Sequence, residues 1–243
     1  MFENLKSNDA IEHEGDSLGG GGYIVNTDAY KLAIDMAYFD KSKGGALSFN
    51  VVLKGQNNET VKQQWWVASG DAKGNKNFYV DKKGKEHYLP DFSSANNFCL
   101  LACGKEISAL KTEEKQIMLF DFTERKEVPQ KKQVAMEVLG KEVVVAVEKQ
   151  IVDKTANDGN GNYLPTGETR EQNQIVKSFS AKDNRSAAEV RAEVDTAEFL
   201  EAWLEKNKGT VNDMSTGVAA GGTDGAPGDA DTAAGAGTTK SLF

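Results

Sequence analysis

The chain has 243 residues, with 29 Lys+Arg against 37 Asp+Glu, two His, two Cys, four Pro and 24 Gly, room for one full domain with appendages. No stretch approaches the ~20 apolar residues of a membrane helix, and MFENLKSNDAIEHEGDS carries no apolar run behind a basic start, so a soluble, cytoplasmic, non-exported protein without a membrane partner is expected. Cys99 and Cys103 cannot form a disulfide framework, and their i,i+4 spacing suits one helical face. With only His13 and His87, both flanked by charge, most His-centred catalysis and zinc chemistry is not expected, leaving an enzyme carboxylates or lysines.

Residues 1–22 form an acidic arm that ends in Gly19 to Gly22 and orders poorly by itself. A mainly β domain is expected over 23–182. In YKLAIDMAYF the two-residue period places Leu32, Ile34, Met36 and Tyr38 on one strand face. ALSFNVVLK is a second strand and VKQQWWV a third, giving an antiparallel meander. NFYV and EHYL flank DKKGK as a hairpin, and Asp91 to Gly104 reads as a short helix stopped by Gly104. Further strands are predicted at Gln116 to Phe120, Lys131 to Val138, Glu142 to Val152 and Gln174 to Ser180, separated by KEVPQ, LGK and the long loop VDKTANDGNGNYLPTGETRE.

Over 183–209 a C-terminal amphipathic helix is predicted. Ser186 and Glu189 have capping-box spacing, and Val190, Val194, Phe199, Leu200, Trp203 and Leu204 form a stripe for packing on the β core or on another subunit. Residues 210–243 collapse to Gly, Ala, Thr and Asp, the composition of a disordered acidic tail ending in Leu242 and Phe243.

Several chemistries fail on spacing. SLGGGGYIV lacks the Gly-Lys-Ser/Thr of a phosphate loop and leads into a strand. Placing Gly161 sixth in a calcium loop puts Ala156 first and Gly167 twelfth, which rules out an EF-hand. The two cysteines lack further zinc ligands, and neither a nucleophile elbow nor a His-Glu-x-x-His is present. No catalytic residue, metal or cofactor is expected.

The informative feature is local charge that opposes the global charge. Lys54, Lys62, Lys73, Lys76, Lys82, Lys83 and Lys85 stand against Glu59, Asp71, Asp81 and Glu86, a balance of +3 within a chain of −8. Strand parity sends Trp65 inward with Val61 and Val67, and sends Trp66 outward with Lys62 and Gln64. Tyr79 and Tyr88 are the surface aromatics of the hairpin. Rings among lysines suit unpaired bases, which stack on the rings while the lysines follow the phosphates. Trp66, Tyr79 and Tyr88 are therefore candidate stacking residues, and Lys62, Lys73, Lys76, Lys82, Lys83 and Lys85 candidate phosphate contacts. The competing reading has the lysines solvating a hairpin and Trp66 packing under the C-terminal helix. The tail adds a leash whose Leu242 and Phe243 are candidates for docking partners, although Thr238, Thr239 and Lys240 stand where acids would be expected.

Four segments, DSLGGGG, ASGDAKGNKNFYVDKKGKEHYLPDF, DFTERKEVPQKKQV and VDKTANDGNGNYLPTGETRE, make the chain resemble single-stranded DNA-binding proteins of tailed bacteriophages over roughly Met1 to Gly209. That resemblance implies an OB-like antiparallel barrel that coats single-stranded DNA without strong sequence preference in replication, recombination and repair, in the host cytoplasm. It also implies contact with RNA polymerase for some members, while the tail points to replication or recombination proteins as partners and a homo-oligomer is a further expectation. The alternative is a non-enzymatic interaction or transcription-regulatory protein that contacts RNA polymerase.

Overall fold

The computed structural model describes residues 24–121, 124–159 and 163–217. The acidic arm and residues Leu242 and Phe243 lie outside them. The chain divides into two units: one holds residues up to Ile151 together with Glu171–Asp213, the other Val152–Arg170 together with the residues from Met214 onward. The architecture is mainly β and antiparallel.

In the first unit, β1 (Asp28–Lys41), β2 (Leu47–Lys54) and β3 (Thr60–Ala68) form the expected meander. β1 serves two further neighbours. Its first half pairs with β8 (Glu142–Asn157) from Asp28↔Val147 to Ala33↔Glu142, and then Tyr38 and Phe39 pair with Val134 and Gln133 of β7 (Lys126–Ala135). A register shift against β2 between Ile34 and Met36 makes the change possible. There Ile34 N–H donates to the Lys141 carbonyl at 2.9 Å, and the Ile34 carbonyl accepts from Gly140 N–H at 2.8 Å. An extra residue in one strand reverses the inward and outward assignment beyond it. Leu32, Ile34 and Ala37 are buried, and Phe39 packs against that core. Met36 and Tyr38, expected on the Leu32 face, stand on the opposite one.

β7 forms a ten-rung hairpin with β6 (Thr112–Asp121). KEVPQ, expected as a separator, is the first half of β7, and Pro129 is accommodated where, among the described residues, β7 pairs with β6 alone. In β8 the run Val143 to Val147 is buried on both faces: Val143, Val145 and Val147 enter the main core, while Val144 and Ala146 pack with Phe179 and Leu200. That explains an unbroken apolar run where alternation would mark a half-exposed strand. β9 (Tyr163–Ser180) pairs with β8, so strand occupies most of the segment expected as a long loop.

Between β3 and β6 lie a two-stranded hairpin, β4 (Phe78–Val80) with β5 (Glu86–Tyr88), and helix α1 (Pro90–Cys103). α1 buries Ala95, Phe98 and Cys99 and ends at Gly104, whose φ of 73° is the left-handed conformation of a helix stop. Phe98 lies 5.3 Å from Trp65 and 6.5 Å from Phe49, completing an aromatic core.

The predicted C-terminal helix is two helices, α2 (Ala187–Arg191) and α3 (Glu198–Asn207). The capping box forms as read, with Ser186 accepting from Glu189 N–H at 3.2 Å and one Glu189 oxygen accepting from Ser186 N–H at 2.7 Å. The other Glu189 oxygen accepts from Phe199 N–H at 2.8 Å, so one carboxylate starts both helices. Leu200, Trp203 and Leu204 pack on Val144, Ala146 and Phe179, whereas Val190, Val194 and Phe199, expected in the same stripe, remain exposed. Val211–Asp213, expected within the tail, form β10, parallel to β8 at Lys149 to Ile151. Buried Thr27 fastens this corner: its hydroxyl accepts from Lys149 N–H at 2.9 Å and donates to the Thr210 carbonyl at 2.6 Å.

The sheet does not close by a ladder between β3 and β9. A side chain spans that seam instead: Gln63 Oε1 accepts from Ile175 N–H at 2.9 Å while its Nε2 donates to the Gln64 carbonyl at 3.0 Å. In the second unit, Lys154 pairs with Glu168 at 2.9 Å, and Asp153 accepts from the Thr216 hydroxyl at 2.7 Å.

Replacing Gln63 by Ala strands the buried Ile175 N–H without its acceptor. The expected cost is ~1–3 kcal/mol, read as a lower urea midpoint at an unchanged m-value.

Candidate nucleic-acid interface

β3 alternates as its sequence reads. Val61, Gln63, Trp65 and Val67 point inward, Lys62, Gln64 and Trp66 outward, and Trp66 is 41% exposed. The registers place Ser48, Asn50 and Val52 of β2 opposite Trp66, Gln64 and Lys62, and Asp40, Tyr38 and Met36 of β1 next in the same three rows. Polar side chains join across this face: Gln64 Nε2 donates to Asn50 Oδ1 and Asn50 Nδ2 to Ser48 Oγ, each at 3.0 Å. At its far side Lys132 holds Asp40 at 2.6 Å. Burial, then the Asp40 charge, pushes the Tyr38 phenol above its ordinary range. Sequence reasoning missed Tyr38 as a member of this face, because only the β1 register shift puts it there, and no local pattern marks that shift.

The chain leaves β3 through a loop tied by Ser69, whose N–H donates to the Lys76 carbonyl and whose hydroxyl accepts from Lys76 N–H. It then forms the β4–β5 hairpin. Asp81 builds the tip: Oδ1 accepts from Lys83 N–H at 2.8 Å and Lys85 N–H at 2.9 Å, Oδ2 lies 3.1 Å from His87 Nε2, and Gly84 takes the positive φ that the turn needs. These bonds, led by that from Lys85 N–H and followed by His87, hold the Asp81 carboxyl below the usual range.

The hairpin register pairs Phe78 with Tyr88, Tyr79 with His87 and Val80 with Glu86. Residues directly opposite share a face. Tyr79 therefore stacks on His87, with centroids 5.5 Å apart and planes 25° apart, while Tyr88 lies on the other face and approaches Phe92 at 5.2 Å. Both tyrosines are exposed, Tyr79 by 49% and Tyr88 by 63%. Tyr88 and Trp66 converge on the start of α1, where Phe92 meets the Tyr88 ring and Asp91 Oδ2 accepts from Trp66 N–H at 2.9 Å. The two hairpin rings thus do not form one platform: Tyr88 lies against Phe92 at the beginning of α1 and Tyr79 faces the other side of the hairpin, while Trp66 is tied to the beginning of α1 through its backbone N–H.

All six candidate lysines are exposed, and none is ion-paired among the described residues. Lys62 stands on the sheet face with Trp66, Lys73 and Lys76 follow β3 in the loop, and Lys82, Lys83 and Lys85 crown the hairpin. Lys76 Nζ sits 5.2 Å over the Phe78 ring. The acids nearby are engaged elsewhere: Asp71 by Lys41 and Asn75, Asp81 by the turn and Glu59 by Asn57. Lys54, the seventh lysine of the segment, is held by Asp35 at 3.1 Å. Among the described residues the six candidate lysines therefore face solvent without an ion-pair partner.

Among the described residues, no group of three His, Cys, Asp or Glu is placed to hold a metal ion, and no helix is long and apolar enough to cross a membrane. Cys99 is buried and its thiol is pushed up by burial, while Cys103 Sγ donates to the Cys99 carbonyl at 3.3 Å. Comparison of the chain with protein-family models and with curated proteins finds no match.

A lowered carboxylate pKa means that the Asp81 contribution is complete above the unfolded-state value near ~4 and is lost as pH falls through the folded one. Amide protection at Lys83 and Lys85 is expected to hold from neutral pH to the ordinary carboxylate range and to fall in stronger acid. In Asp81→Ala it is expected to be low throughout, as measured by hydrogen exchange.

Proposed function

We propose that this chain is a single-stranded DNA-binding protein that coats DNA without strong sequence preference in phage replication, recombination and repair. The observation that carries the reading is an exposed indole, Trp66, on the same strand face as Lys62, in a segment where Lys62, Lys73, Lys76, Lys82, Lys83 and Lys85 are exposed and have no ion-pair partner among the described residues. A base stacked on an exposed ring is worth ~1–3 kcal/mol, and every base offers such a face. Lysines release counterions from the phosphates they neutralise, which couples affinity to salt. The meander and its long shared first strand support an OB-like sheet that is not closed into a barrel, and the sequence resemblance to phage single-strand binders points to the same class. In this reading Trp66 and Tyr88 stack bases along the start of α1, and Tyr79 takes a base on the other face of the hairpin. Lys62, Lys73, Lys76, Lys82, Lys83 and Lys85 hold phosphates, and Leu242 with Phe243 recruits replication or recombination proteins. Neither catalysis nor a cofactor enters the activity.

A second reading has one observation of its own. The break between α2 and α3 leaves Val190, Val194 and Phe199 exposed on an acidic segment, a surface for a protein partner such as RNA polymerase. A polymerase pull-down that survives nuclease treatment favours it.

The test is titration with single-stranded and duplex oligonucleotides of equal length at low and high salt. Preferential, salt-sensitive binding to the single strand is expected; equal binding to both, or affinity indifferent to salt, overturns the reading. Trp66→Ala is expected to cost ~1–3 kcal/mol of binding and most of the tryptophan quenching. Joint replacement of Lys82, Lys83 and Lys85 by Glu is expected to flatten the log–log salt slope by ~0.7 for each phosphate that is no longer neutralised.

A further inference from the structure

The seam between β3 and β9 holds a cavity of about 160 Å³. β3 contributes Trp65, α1 contributes Ser93, Ser94 and Asn97, and β9 contributes the four consecutive residues from Ile175 to Ser178. Consecutive strand residues point to opposite faces, so a wall made of four in a row includes the backbone edge of β9 as well as its side chains. Trp65, Ile175 and Val176 make part of the lining apolar. The polar part is left unsatisfied. Ser178 is only 8% exposed, yet its hydroxyl, like those of Ser93 and Ser94, has no hydrogen-bond partner among the described residues, whereas buried hydroxyls are normally bonded. Asn97 Oδ1 accepts from Arg191 Nη2 at 2.6 Å, which leaves Asn97 Nδ2 as an available donor. Among the described residues no carboxylate lines the cavity, and its one charged residue is Lys177, whose Nζ lies 5.1 Å over the Phe199 ring.

We infer that this cavity receives a single pyrimidine base of a bound DNA strand, an assignment that rests on the single-strand reading of the protein. Size selects one ring: a cavity of ~150 Å³ holds a benzene molecule, and a fused purine needs more room. Chemistry selects a polar ring over a phosphate, because burying an anion against Trp65, Ile175 and Val176 is costly. The seam itself supplies a precedent. There the side-chain amide of Gln63 satisfies Ile175 N–H in place of a strand, and thymine and cytosine carry the same O=C–N unit within a flat ring. Serine hydroxyls both donate and accept, so they serve either pyrimidine, while Asn97 and Lys177 add donors for its carbonyl oxygens. Position couples the cavity to the exposed indole. Trp65 and Trp66 are consecutive, and Asp91, which accepts from Trp66 N–H, stands two residues before Ser93. A strand stacked on Trp66 therefore passes the margin of β3 beside the cavity, and a neighbouring base turns in.

The full chain is titrated with homopolymers of thymidine, deoxycytidine and deoxyadenosine of equal length at one salt concentration. Tighter binding of both pyrimidine strands than of the adenine strand is expected. Because adenine strands stack on themselves, the decisive quantity is the change in the thymine-to-adenine affinity ratio from one protein to the next. Ser178→Ala, and separately the joint change of Ser93→Ala with Ser94→Ala, are each expected to narrow that ratio by about threefold to tenfold, the loss of a hydrogen bond. Alanine favours a helix, so the joint variant keeps α1. A readout that needs no variant is ultraviolet crosslinking of a strand containing 5-bromodeoxyuridine, mapped by peptide mass. Adducts are expected at Trp65, in residues 93–97 or in residues 175–178, beside those at the exposed rings. Free 5-bromodeoxyuridine monophosphate is the second arm. Equal affinity for the three strands, an unchanged ratio in both variants, adducts confined to Trp66, Tyr79 and Tyr88, or adducts in the cavity from the mononucleotide but not from the strand each overturn the assignment and leave single-strand binding standing. A chain that binds no single strand overturns both.

Discussion

The fold turns on the register shift at Asp35. β1 remains paired to β2 on one side, from Ala33↔Lys54 to Lys41↔Leu47, while its other side changes partner from β8 to β7. A regular strand would keep one set of side chains inward throughout and would carry Tyr38 and Met36 into the core. The extra residue lets Ala37 and Phe39 take those places, and Asp35 itself is occupied by Lys54. Both the packing around Phe49 and the composition of the outer face beside Trp66 follow from that local irregularity.

Where strands stop short of one another, polar side chains finish the hydrogen bonding. Gln63 spans the seam between β3 and β9. Asn173 does the same for Val25, accepting from its N–H at 2.9 Å and donating to its carbonyl at 2.8 Å. Asp91 receives Trp66 N–H on the same margin of β3. These groups behave like peptide units that are not bound to a strand direction. They satisfy backbone donors and acceptors without extending the sheet. The margin of β3 therefore ends beside an exposed indole and the start of a helix instead of being capped by another strand.

What was legible in the sequence is what depends on near neighbours. The alternation of Val61 to Val67 determined which tryptophan is exposed, Gly104 marked the end of α1, and Ser186 with Glu189 marked a helix start. What was hidden depends on distant partners. The shift in β1 is set by its exchange of β8 for β7, and the split between α2 and α3 by Glu189 reaching forward to Phe199. The Asn- and Gly-rich stretch after Val152 has the composition of a loop, yet much of it pairs as strand, because ladder formation overrides weak local preference. In the candidate site, exposure of the three rings could be read from parity. Their division between two faces required knowing that Tyr79 sits opposite His87 rather than Tyr88.

Thr27 joins three segments of this chain. One buried hydroxyl links the residue just before β1 to Lys149 in β8 and to Thr210 just before β10, and Gly209 N–H closes onto the Thr27 carbonyl at 2.8 Å. The residue before β1 and the residue before β10 thus meet β8 at a single knot of hydrogen bonds. Beside these bonds, the three rungs from Val211↔Lys149 to Asp213↔Ile151 are what join β10 to β8. The bonds of this clasp are separate from the ladders of the meander, so the holding of β10 depends on Thr27 and β8 and not on β2 or β3.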